Sequence, residues 1–80
     1  GTSEVSPLTE QMINRLIRNM PLGEFKMELK KLSRTQLEEL ADYAVEHYKE
    51  LQMDRVDALS AATGKNILKA IEHYRKAQEV

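Results

Sequence analysis

The chain contains no cysteine and no tryptophan, and only two prolines and three glycines in 80 residues. Without cysteine no disulfide can close a loop, and thiolate metal sites and cysteine nucleophiles are excluded. The absence fits a cytoplasmic or other reducing intracellular compartment. Long apolar runs are missing too. No stretch approaches the ~18–20 residues that a membrane span needs, and no signal peptide is visible, so no membrane partner is expected. Charge of one sign is also lacking. Twelve basic residues against thirteen acidic ones leave a net charge of −1, so there is no overall basic field to hold nucleic acid non-specifically.

What is present is helical packing surface. From Ser33 to Val80 there is no proline and a single glycine, Gly64. Ser33-Arg34-Thr35-Gln36 matches the capping box, in which serine accepts from the Gln36 amide and Gln36 reaches back to the Ser33 amide. Behind it Leu37, Leu40, Ala41, Ala44, Val45, Tyr48 and Leu51 recur at helical spacing. The stripe continues through Met53, Val56 and Leu59, and an eleven-residue offset describes its drift (Leu37, Tyr48, Leu59, Ala70). That period is close to a straight helix. The pattern alone permits one helix to about Gln78. Gly64 opposes it, because glycine is favoured just past a helix end and disfavoured inside one. The expected break is therefore at Thr63-Gly64, with Thr63 available to cap the next helix. Asp54 marks a weaker alternative break as an N-cap.

Upstream, Ser6-Pro7 reads as an N-cap followed by proline at the first helical position. Leu8, Met12, Ile13, Leu16, Ile17 and Met20 form an amphipathic stripe that ends before Pro21. Pro21-Leu22-Gly23 reads as a turn. Phe25, Leu29 and Leu32 then form one face of a short helix. Residues 1–5 read as a disordered polar tail, with Gly1, Thr2 and Ser3 as a cloning remnant, and residues 6–80 as a single helical domain. The expected fold is all-α: a small bundle of about four helices near 7–19, 24–32, 34–62 and 66–78, the third long and amphipathic.

The inventory for chemistry is thin. His47 and His73 are the only histidines. His47, Glu50 and Asp54 share a helix face, but zinc and di-iron sites take ligands converging from several segments. Ser6, Ser33 and Ser60 have better explanations as caps or small packing residues, and no Gly-x-Ser-x-Gly elbow occurs. Gly64-Lys65 lacks the earlier glycine and the strand of a phosphate loop. A helical domain of this size has little room for a substrate pocket. No enzyme activity, cofactor, metal or small-molecule substrate is expected.

Two readings remain. The first is a non-catalytic protein–protein interaction or oligomerisation module, possible partners including a second copy of the chain. Tyr48, Met53, Val56, Leu59, Ile67, Ile71 and Tyr74 are its contact candidates, with an acidic middle (Glu38 to Asp57) and a basic end (Lys65 to Lys76) able to pair between antiparallel chains. Four methionines (Met12, Met20, Met27, Met53) would suit an adaptable binding groove, but at helical spacing core packing explains them better. The second is a small DNA-associated regulator with a helix-turn-helix around Gly64. Its groove and phosphate candidates are Lys65, Asn66, Lys69, His73 and Lys76. Asp54 and Asp57 on its first helix oppose that reading by repelling phosphate.

Overall fold

The computed structural model describes residues 8–78. Five α-helices occur there, and no strand: α1 (Glu10–Asn14), α2 (Leu22–Lys31), α3 (Arg34–Glu46), α4 (Met53–Thr63) and α5 (Ile67–Gln78). A π-helical turn, Arg15–Asn19, continues α1, and a 3₁₀ turn, Tyr48–Glu50, lies between α3 and α4. The expected start at Ser6-Pro7, and the tail at residues 1–5, lie outside the described residues. Within them, Thr9 caps α1, its hydroxyl accepting the Met12 amide at 3.1 Å. The helical run ends where Met20 turns extended ahead of Pro21, as the ring of a following proline demands.

Helix α2 begins two residues earlier than expected. Pro21 is its N-cap, so the chain reverses at Met20-Pro21 and Gly23 sits in the first helical turn. Both arms of the capping box form at the head of α3: the Gln36 amide donates to Ser33 Oγ at 3.1 Å and the Ser33 amide to Gln36 Oε1 at 3.0 Å.

The expected third helix, 34–62, is two helices. His47 leaves helical geometry (φ −121°, ψ 34°), the 3₁₀ turn follows, and Leu51 and Gln52 are extended. The break carries neither glycine nor proline. Its cause is tertiary: folding α4 back buries Val56 and Leu59 in a core shared with Leu40, Ala41 and Ala44, which a straight helix would leave in water. Gln52 is the N-cap residue, and Asp54, the weaker alternative cap in the sequence, lies in the first turn of α4, where its charge favours the helix dipole.

The expected break at Gly64 is present. Gly64 has φ 72°, the left-handed conformation of a helix C-terminus. Thr63 does not cap α5. It is buried at the end of α4, donating to the Leu59 carbonyl at 2.9 Å and accepting the Lys65 amide at 3.2 Å. Asn66 takes the capping role, its Oδ1 accepting the Lys69 amide at 3.1 Å.

Helix α4 is central, packing against α2, α3 and α5, while α3 also packs against α5. Phe25, Leu40 and Leu59 are fully buried. Three polar ties join the periphery. The Leu8 amide donates to Glu39 Oε2 at 2.9 Å, Arg18 pairs with Glu50, and Lys65 Nζ lies 3.7 Å from Glu38 Oε2 and 3.9 Å from Asp42 Oδ1.

Candidate functional site

The inward face of α4 carries Val56, Leu59 and Thr63, so its other side is left outside. That side presents Asp54, Asp57, Ala58, Ala61 and Ala62, at helical spacing, to an open groove of about 530 Å³. The opposite wall is α2. Phe25 and Leu29 turn that helix into the core, which places Leu22, Lys26 and Lys30 along the groove, with the edge of Leu29 beneath them. The charges are segregated: two lysines on the α2 wall beside Leu22, two aspartates on the α4 wall beside three alanines. All four charged residues are exposed. Alanines here matter geometrically, because small side chains let another backbone approach closely.

Just inside the α4 wall lies Arg55, 7% exposed. Its guanidinium donates to the backbone carbonyls of Leu16 and Met20 and lies 5.0 Å from the Phe25 ring centroid. These carbonyls belong to the last turns of the first helical segment, where intrahelical donors run out. Burial pushes the Arg55 pKa down from its ordinary value. The Arg55 side chain therefore ties the N-terminal end of α4 to the first helical segment and to α2, and holds the walls of the groove in place. Nothing in the spacing of the sequence distinguishes Arg55 from a surface arginine.

A second open groove, about 660 Å³, runs between α4 and α5 and includes Met53, Asp57, Leu68, Ile71 and Arg75. Its charges are interleaved rather than segregated, with Asp57 and Glu72 among Lys69 and Arg75. A third, lined by Arg15, Met20, Glu24, Met27, Glu28 and Lys31, lies beside the π turn. All three grooves are open to solvent.

The predicted contact residues separate. Val56, Leu59, Ile67 and Ile71 are buried within the chain and are core, not contact surface, in this fold. The break in the third helix is the reason, since it lets α4 and α5 cover each other and α3. Met53 remains 64% exposed. Tyr48 and Tyr74 are half-buried and meet edge to face, 6.1 Å between centroids, with Arg75 over Tyr48. Of the nucleic-acid candidates, Lys69, His73 and Lys76 are exposed on α5. Lys65 faces two carboxylates of α3, and the Asn66 amide oxygen is occupied in capping.

The three residues weighed as metal ligands do not converge: His47 stacks on Tyr43 at 4.2 Å and Glu50 pairs with Arg18. Among the described residues no group of three or more histidines and carboxylates is placed to hold a metal ion. No helix there is long and apolar enough to cross a membrane. No family model, curated protein or solved structure matches the chain.

Proposed function

We propose that the protein is a non-catalytic helical interaction module whose docking surface is the α2/α4 groove. The observation that carries this reading is the segregation of charge to opposite walls of an alanine-lined groove. Lys26 and Lys30 line one wall together with Leu22, and Asp54 and Asp57 the other together with Ala58, Ala61 and Ala62. An amphipathic helix fits that chemistry, with its apolar stripe on the alanines, an acidic flank toward α2 and a basic flank toward α4. Helical peptides displayed as a random-flank library and selected on the protein test it. Binders are expected to converge on that flank pattern and to lose at least about tenfold in affinity against Ala61→Arg, which fills the groove. Binders indifferent to Ala61→Arg would remove the groove from the reading.

A second reading is a small DNA-associated regulator. What favours it is that α4, a three-residue turn at Gly64 and α5 pack as a pair with α3 against both, as in helix-turn-helix domains. Its available contacts are Lys69, His73 and Lys76, with Glu72 and Asp57 opposing. Titration with duplex DNA at two salt concentrations separates the readings. Binding that falls steeply with salt and is abolished by Lys69→Glu with Lys76→Glu would displace the first.

A further inference from the structure

We infer that the occupant of the α2/α4 groove is a second copy of this chain, which sets its α4 against the lysine wall and its α2 against the aspartate wall. The inference rests on the groove being a helix-docking surface and names what docks. A two-fold interface uses the same patch on both subunits, so the patch must contain both members of every contact it makes. This groove does. Its lysine wall and its aspartate wall are each other's electrostatic complement, and they belong to one face. A two-fold axis running along the groove brings the Asp54/Asp57 wall of one copy to the Lys26/Lys30 wall of the other, twice over. An axis running across the groove would set like charge on like, which disfavours that arrangement. The charge pattern therefore selects one of the two face-to-face pairings.

Helix α4 is also suited to be both wall and lodger. Its groove-facing ridge is built of Ala58 and Ala61, so two copies of α4 can cross close to the axis without displacing large side chains. A net charge of −1 leaves no long-range repulsion between copies. The two lysines and two aspartates are exposed, and among the described residues none is in an ion pair that docking would have to break.

The test uses the intact protein in sedimentation velocity across a concentration series. The wild-type chain is expected to dimerise reversibly by the high micromolar range. Lys26→Glu with Lys30→Glu, and separately Asp54→Lys with Asp57→Lys, should each weaken the dimer by at least about tenfold, because each sets like charges on both symmetric contacts. An equimolar mixture of the two variants should recover a dimer, since every wall then meets its opposite. The quadruple swap carrying all four substitutions should recover a homodimer for the same reason. Circular dichroism checks that each variant remains helical. A wild-type chain that stays monomeric overturns the inference, as do charge-reversed variants that dimerise as well as wild type or a mixture that does not recover. Monomeric behaviour with retained, Ala61-dependent peptide binding would leave the docking reading standing and reject only the self-pairing.

Discussion

Replacing Arg55 with methionine removes the one buried cation of the described core while keeping most of its apolar length. Two backbone carbonyls, Leu16 and Met20, then lose their guanidinium donors in a buried setting. Leaving a buried acceptor unsatisfied costs roughly 1–3 kcal/mol per group. The contact with the Phe25 ring adds about 0.5–2 kcal/mol to the loss. Working the other way, the variant no longer has to strip water from a charge, which for a buried ion is a penalty of several kcal/mol in principle. Arg55 has no carboxylate within salt-bridge distance among the described residues, so its removal strands no opposite charge. The carbonyls decide the sign, because they cannot be removed with the side chain. The expected net loss is about 2–4 kcal/mol. A small single-core domain holds on the order of 5 kcal/mol in all, so most of its stability would go. Urea unfolding followed by circular dichroism at the helical band measures this. With a slope of about 1 kcal/mol per molar urea, the midpoint should fall by roughly 2–4 M. Arg55→Lys should fall between, since a single ammonium does not reproduce the two-pronged fork. A midpoint for Arg55→Met at or above the wild-type value would refute the argument. It would mean that desolvating the guanidinium outweighs what it holds together.

Three further outcomes follow from backbone and capping geometry. Gly23 lies in the first turn of α2 without a positive φ, and a Cβ there would meet nothing within 4 Å. Gly23→Ala should therefore stabilise the protein by about 0.4–1 kcal/mol, read as a higher urea midpoint. Gly64→Ala should do the reverse. The nearest atom to its Cβ would be a flexible Arg34 nitrogen at 3.9 Å, so the loss of about 1–2 kcal/mol comes from the left-handed backbone, not from crowding. Ser33→Ala breaks one arm of the capping box and should lower the thermal midpoint by the equivalent of about 1 kcal/mol, with Ser33→Asp largely restoring it.

The parts of the fold legible in the sequence are those set by local chemistry. The capping box announces α3 because Ser33 and Gln36 satisfy each other's amides within four residues. Gly64 announces the end of α4 because only a residue without Cβ adopts that conformation at little cost. Pro21 announces the end of the first helical segment. The break at His47–Gln52 had only the weaker signal of Asp54, which lies in the first turn of α4 and does not cap it. The apolar stripe runs through it in phase, and the residues there are acceptable helix formers. The candidate groove was hidden for a related reason. Attention to the apolar stripe singled out Val56, Leu59, Ile67 and Ile71, which the fold buries, whereas the groove is built from the alanines and charges on the other side of α4.

By itself, then, the sequence determined an all-helical chain, the N-terminal capping box of α3 and the glycine-terminated break before the last helix. Each of these depends on atoms only a few residues apart. Tertiary structure alone decided that the run from Ser33 also breaks at His47–Gln52, that Arg55 is buried beneath the first helical segment, and that Lys26 and Lys30 face Asp54 and Asp57 across a groove. Those features join residues some 25 to 40 positions apart in the chain, and their energy comes from covering apolar surface that no local pattern can place.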